Sequence, residues 1–158
     1  MKSLFPSGDG WLTMKIEIRQ EPFNPWDEIE GYQRRIHKAG QFGAMSCFVG
    51  SMRDFNDDEK ITELQLEHYP GMTEKHLESI AAEAAARWNL IDVLVLHRVG
   101  HIRIGDPIVL VCVWSAHRAA AFAACRYIMD DLKAKAPFWK QETVEGGKQR
   151  WVGKNTPD

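Results

Sequence analysis

From residue 11 to residue 19 the chain alternates strictly. Leu12, Met14, Ile16 and Ile18 fall on one side, and Thr13, Lys15, Glu17 and Arg19 on the other. A period of two is that of a strand with one buried face. Asn24-Pro25 then supplies an N-cap and a proline at the first helical position, followed by Asp27 and Glu28 in the first turn. This helix carries Trp26, Ile29 and Ile36 on one face, and Gly40 is expected to stop it. Residues 42–49, FGAMSCFV, are almost continuously apolar, the pattern of a central strand. Residues 54–60 are polar and acidic and read as a mobile loop. Residues 61–68 alternate again, with Leu64 and Leu66 together, and Tyr69-Pro70-Gly71-Met72 turns the chain. A helix over 73–88 follows, with Thr73 as its cap and Leu77, Ile80, Ala81 and Ala84 inward. Residues 91–97 and 107–114 are strands, separated by a turn at Gly105-Asp106.

The stretch 115–142 is the most informative. Ser115, His117 and Arg118 come directly after the strand-like run PIVLVCVW. A helix continues from them with Phe122, Cys125, Ile128, Met129 and Leu132 on its apolar face. Pro137 ends it, because the residue before a proline is pushed out of the α region. A tight Pro-Phe-Trp-Lys segment follows, and residues 148–152 form a short last strand. The order β-α-β-β-α-β-β-α-β predicts an α+β fold with a mostly antiparallel sheet covered by helices. No GxGxxG follows a strand, so a dinucleotide-binding unit is not expected. Residues 1–10 read as a flexible leader, 11–152 as a single domain and 153–158 as a C-terminal tail.

Composition narrows the function classes. The 158 residues are 44% hydrophobic and 27% charged, which is globular. A net charge of −2 argues against nucleic-acid binding by a basic surface, so any anion site must be a local cluster. The longest apolar runs are too short to span a bilayer, and the N-terminus lacks the apolar core of an export signal. Cys47, Cys112 and Cys125 sit inside apolar patterns without CxxC spacing, which reads as buried reduced thiols in a cytoplasmic protein. The six histidines show no metal-ligand spacing, so neither a metal nor a cofactor is expected.

Basic residues bracket the long helix: Arg118 at its start, then Lys133, Lys135 and Lys140. Lysines at a helix C-terminus complement the macrodipole, and that accounts for Lys135. Lys133 and Lys140 lie on either side of the turn at Pro137, beside Phe138 and Trp139. Partial desolvation there would lower a lysine pKa toward the range useful for acid/base chemistry. Arg53 leaves the end of an apolar strand, where a rigid element can aim a guanidinium; the alternative is an exposed arginine paired with Asp54, Asp57 or Asp58. Arg118 and Lys133 are separated by roughly 22 Å of helical rise. One small-molecule pocket within one chain cannot use both. A homodimer with two composite sites can, each taking Lys133, Lys140 and Arg53 from one subunit and His117-Arg118 from the other.

At Leu66-Glu67-His68-Tyr69-Pro70-Gly71-Met72-Thr73-Glu74-Lys75 the chain resembles the large (catalytic) subunit of molybdopterin synthase. The likeness continues through His97-Arg98-Val99-Gly100, Gly105-Asp106, Ser115-Ala116-His117-Arg118, Ile128-Met129-Asp130 and Leu132-Lys133. It ends with Ala136-Pro137-Phe138-Trp139-Lys140-Gln141-Glu142 and Arg150-Trp151-Val152, and so spans about residues 12–152. The resemblance implies an α/β-hammerhead type of fold and a sulfurtransferase of molybdenum cofactor biosynthesis. Such enzymes insert two dithiolene sulfurs into cyclic pyranopterin monophosphate (precursor Z). The sulfur arrives as the C-terminal Gly-Gly thiocarboxylate of a small ubiquitin-like subunit, within a heterotetramer built around a large-subunit homodimer. No metal is required at this step.

By position, the resemblance makes Lys133 and Lys140 the catalytic lysines, with Lys133 as the expected general acid/base and Lys140 supporting it. Arg53, His117 and Arg118 become substrate-binding residues, and Gln141 and Glu142 are expected to line the pocket. Ser51 and Met52 are placed at the substrate too, although some members carry lysine or threonine where this chain has Ser51, which leaves backbone contacts open to both. Three other readings compete. One is a non-catalytic anion- or nucleotide-binding regulatory domain using the same Arg/Lys cluster. Another is a hydrolase with His117 as base, which lacks a nucleophile because Ser115 reads as a helix cap. The last is a purely structural partner of another enzyme.

Overall fold

The computed structural model describes residues 2–7, 10–36 and 40–153. In chain order the elements are β1 (Lys2–Ser7), β2 (Gly10–Arg19), α1 (Pro25–Gln33), β3 (Ala44–Ser51), β4 (Phe55–Asn56), β5 (Glu59–His68) and α2 (Met72–Trp88). Then come β6 (Asp92–Arg98), β7 (Gly100–Ile102), β8 (Pro107–Ser115), α3 (Arg118–Lys135), β9 (Phe138–Val144) and β10 (Gln149–Val152). They form two sheets. The first has the order β1-β2-β6-β8-β3, antiparallel except for the parallel pair β2 and β6. The second is antiparallel, in the order β10-β9-β5-β4, with β7 also paired to β5. The α+β architecture with mostly antiparallel strands is the one the sequence order predicts.

Burial on both faces explains the apolar runs of β6 and β8. Val93 and Val95, with Val109, Val111 and Val113, pack against α2 and α3. The alternate positions Leu94, Leu96, Leu110, Cys112 and Trp114 pack on the other side with Ile29 and Tyr32 of α1. Each such side chain taken from water contributes about 1.5–3 kcal/mol. The chain passes from the first sheet to the second at Gly100, whose φ of +85° suits a residue without a Cβ. Arg98 pins that crossing: its guanidinium, 5% exposed, donates to Asp106 Oδ2 at 2.6 Å and to the His101 carbonyl at 3.0 Å. Among the described residues no helix is long and apolar enough to cross a membrane.

Several local expectations change. Residues 2–7 of the expected leader form β1, an edge strand on β2, because β2 leaves a row of backbone groups open on that side. Residues 154–158 of the expected tail lie outside the described residues. The apolar run 42–49 is not central: β3 pairs only with β8 and is an edge, leaving Met45 and Phe48 each 41% exposed. Helix α1 ends at Gln33, short of Gly40, and buries Pro25, Ile29 and Tyr32. Trp26 is one position, about 100°, away from that face and is exposed. The same offset exposes Phe122, beside the buried stripe Ala121, Ala124, Cys125, Ile128, Met129 and Leu132 of α3. Of the alternating set on β2, Met14 and Ile16 are buried and Ile18 packs on the core, while the side chain of Leu12 is outside the described part.

Two other segments are more ordered than composition suggested. Residues 54–60 contain a hairpin, with Asp57 and Asp58 at φ of 52° and 60° in its turn. Aspartate tolerates that left-handed region, and tight two-residue hairpins require it. The segment after Pro137 is not a tight turn but the strand β9, paired along β5 from Phe138 to Val144. Thr73 is not the cap of α2, which is Gly71. Its buried hydroxyl instead lies 3.0 Å from the Tyr69 carbonyl and 3.1 Å from the Pro137 carbonyl, tying the start of α2 to the start of β9.

Candidate functional site

A cavity of about 380 Å³ opens where the two sheets meet. Four structural units supply its walls. The end of β3 and the residues after it give Phe48, Gly50, Ser51, Met52 and Arg53. The C-terminal end of α3 gives Met129, Leu132, Lys133 and Ala136. From β9 come Phe138, Lys140 and Glu142, and from the β4–β5 hairpin come Phe55, Asn56, Ile61, Leu64 and Leu66. His97 closes the floor together with Val109 and Ile108.

Local structure explains each placement. A register irregularity between Gly50, paired with Val109, and Ser51, paired with Pro107, disrupts the end of the β3–β8 ladder, and Met52 is then held by two backbone bonds. Its N–H donates to the Asp106 carbonyl at 2.9 Å, and its own carbonyl accepts from Gly105 at 2.9 Å. Arg53 therefore leaves a fixed backbone, and its guanidinium lies 5.2 Å from the centre of the Phe55 ring, a cation–π contact. No ion pair with Asp54, Asp57 or Asp58 is formed among the described residues. Gly50 cannot carry a side chain without displacement, since a Cβ there would stand 2.8 Å from Val109 Cγ1.

Strand alternation sorts the β9 residues. Phe138, Lys140 and Glu142 face the cavity, and Trp139 and Gln141 face the other side. Gln141 is thus not a lining residue, which corrects the expectation that it follows Lys140 into the pocket. The Glu142 carboxylate is buried and each oxygen is held: Oε1 accepts from Asn56 Nδ2 at 2.9 Å and Oε2 from Arg150 Nε at 3.1 Å. Arg150 also donates to the Asn56 carbonyl at 3.1 Å and to Glu59. One guanidinium on β10 thereby clamps the hairpin to β9 and holds the cavity wall shut.

Electrostatics single out Lys140. Burial, then the positive charges of Lys133 and Arg53, hold its ammonium below the ordinary lysine range, against the opposing pull of Glu142. An NMR titration of the lysine side-chain carbons should therefore show Lys140 deprotonating below the exposed lysines. Removing a like charge in Lys133→Ala should raise its pKa, and removing the carboxylate in Glu142→Gln should lower it further. Titration of Lys140 together with the exposed lysines would contradict this account.

His117 and Arg118 are not brought to this cavity. They stand exposed at the opposite end of the unbroken α3 from Lys133, roughly 22 Å away along the helix axis. Ser115 is not a side-chain cap within the helix but the buried last residue of β8; its Oγ accepts the His117 backbone N–H at 3.4 Å. The site residues absent from the sequence reading are His97, Asn56 and Arg150. His97 and Arg150 lie in strings shared with the family, and nothing in local pattern marked Asn56; what each does depends on contacts distant along the chain, His97 with Phe138 and Asn56 and Arg150 with Glu142.

The frame and the site together define an α+β protein with a half-enclosed, cationic pocket that carries a tuned lysine, suited to anionic ligands and proton transfer. Comparison with known proteins gives the kinship. The sequence profile of the family described as MoaE protein matches residues 18–135, and this chain belongs to that family. The molybdopterin synthase catalytic subunit of Ralstonia nicotianae is 55% identical over 145 residues, 90% of this chain and 79% of that one. A solved structure of the molybdopterin biosynthesis MoaE protein from Burkholderia ambifaria is 44% identical, with a TM-score of 0.75 over 92% of this chain and 93% of that one. The crystal structure of molybdopterin synthase from Staphylococcus aureus is 34% identical, with a TM-score of 0.76 over 87% of this chain and 96% of that one.

Proposed function

We propose that this chain is the catalytic subunit of a molybdopterin synthase, and that the pocket at the sheet junction is where it transfers sulfur. The substrate is cyclic pyranopterin monophosphate, and the donor is the C-terminal Gly-Gly thiocarboxylate of a small ubiquitin-like subunit. The supporting observation is the convergence of Lys133, Lys140 and Arg53 on one cavity although they come from three separate elements. Residues 11–152 hold all of these groups and, with β1 added at the edge of their first sheet, make up the catalytic domain. The three cysteines are free, and we place the reaction in the cytoplasm.

Three chemical needs match the side chains. The thiocarboxylate is anionic and is attracted by cationic walls. The cyclic phosphate suits arginine, whose planar guanidinium offers several donors to phosphate oxygens. Attack by the thiocarboxylate sulfur on the electrophilic side-chain carbon of the pterin forms a C–S bond and expels an oxygen, which must be protonated as it leaves; water then hydrolyses the thioester, leaving the sulfur on the pterin and the tail as a carboxylate. Lys140, with its lowered pKa, is the better candidate for moving that proton. Lys133, at the exposed end of α3, serves as the cation that holds the anions in register. This reverses the emphasis drawn from the sequence, where Lys133 was the expected acid/base group. Ser51 and Met52 line the pocket, Met52 holding the strand end in place through its bonds to Asp106 and Gly105, and Glu142 orients the wall beside Lys140.

Reconstitution tests the reading. The chain, cyclic pyranopterin monophosphate and a small subunit ending in a Gly-Gly thiocarboxylate should yield a product with two added sulfurs by mass spectrometry. A partner ending in plain carboxylate should yield none. A charged partner that binds but transfers no sulfur would instead support the non-catalytic anion-binding module.

A further inference from the structure

We infer that His97 is a further binding residue of the site, a neutral acceptor that takes a backbone N–H of the Gly-Gly tail in the pocket; the inference rests on the proposed function. His97 is the penultimate residue of the central strand β6 and is 5% exposed, and it lines the cavity floor. Its Nδ1 lies 2.8 Å from the Arg98 carbonyl. A carbonyl only accepts, so Nδ1 carries the proton and Nε2 of the neutral ring is left as an acceptor. Burial, together with the nearby charge of Lys140 on β9 and with His68 on β5, favours that neutral form. Nε2 has no hydrogen-bond partner among the described residues. No wholly enclosed side-chain nitrogen or oxygen there lacks one, so Nε2 is reached from the cavity. The ring cannot swing away, because it stacks on Phe138 with centroids 3.9 Å apart and planes 16° from parallel.

The occupant follows from what the other lining groups offer. Arg53, Lys133 and Lys140 are donors, and each Glu142 oxygen already accepts a bond, from Asn56 or from Arg150, whereas His97 Nε2 at the floor accepts none among the described residues. A Gly-Gly tail has no side chains, and its amide N–H groups need acceptors once they leave water. Its terminal anion matches the cations, and a preceding N–H matches His97 at the floor.

The test uses an unreactive small subunit ending in Gly-Gly carboxylate, and reads imidazole ¹⁵N resonances in the assembled complex. The free chain should show unprotonated Nε2 in His97, and binding should shift that resonance as it accepts a hydrogen bond. A partner lacking the two glycines should leave it unmoved. His97→Phe, which keeps a stacking ring, should weaken tail-dependent binding by about tenfold, the loss of one hydrogen bond, while His97→Gln, which restores an acceptor, should recover most of it. If the tail binds the wild-type chain and Nε2 does not move, the inference is overturned, whether or not either variant folds. If the glycines add nothing to wild-type binding, the reading of the pocket as the seat of the tail falls, and the inference with it.

Discussion

Lys133→Ala is expected to lose a hundredfold or more of the sulfur-transfer rate while keeping its fold. The magnitude is that of removing one preorganised charge from a partly enclosed site, about 10²–10³ in rate. The ammonium lines the cavity, where, under the proposed function, both the thiocarboxylate and the phosphate bring negative charge. Replacing it by a methyl group leaves that charge to be balanced by Arg53 and Lys140 alone. The fold should be indifferent, because Lys133 is an exposed residue in the last turn of α3, and exposed substitutions change stability within about 0.5 kcal/mol. Single-turnover rates and a thermal melt on the same preparation decide the matter. Near wild-type turnover would remove Lys133 from the site. Lys133→Arg should recover only part of the rate, because a planar guanidinium keeps the charge but not the position of a single ammonium.

Mixing two inactive chains should restore activity. Arg118 and Lys133 occupy opposite ends of one rigid helix, so they can serve one substrate only if the Arg118 end comes from a second copy. With Arg118→Ala and Lys133→Ala chains mixed in equal amounts and allowed to exchange, about half of the dimers are mixed. Each mixed dimer has one site carrying both substitutions and one carrying neither, so about a quarter of wild-type activity should return. Each variant alone should stay near its own low rate. Exchange is verified by native mass spectrometry of differently tagged chains. If mixed dimers form and activity does not rise, the shared site is wrong, and Arg118 acts elsewhere or only in assembly.

Hydrophobic periodicity, proline and glycine punctuation and the spacing of basic residues were enough to read the three helices, six of the strands, the α+β class and the two lysines around Pro137, but not β1, β4, β7 or β9. These signals are local, since each depends on neighbours within a turn or a strand. The family motifs added the reaction, because several strings in the right order specify a lineage that no physical pattern does. Long-range packing decided the rest. Whether an apolar run is a central strand or an edge depends on what pairs beside it, so β3 was misread. Which side of β9 faces the cavity depends on its register against β5, and that put Lys140 and Glu142 in the pocket and Gln141 outside it. The acidic stretch 54–60 became a wall only because Arg150, far along the chain, reaches across to Asn56 and Glu59. His97 looked like one more residue of a buried strand. Its neighbours Phe138, Lys140 and the Arg98 carbonyl gave it a fixed ring and a free acceptor, and only the tertiary structure brings those three together.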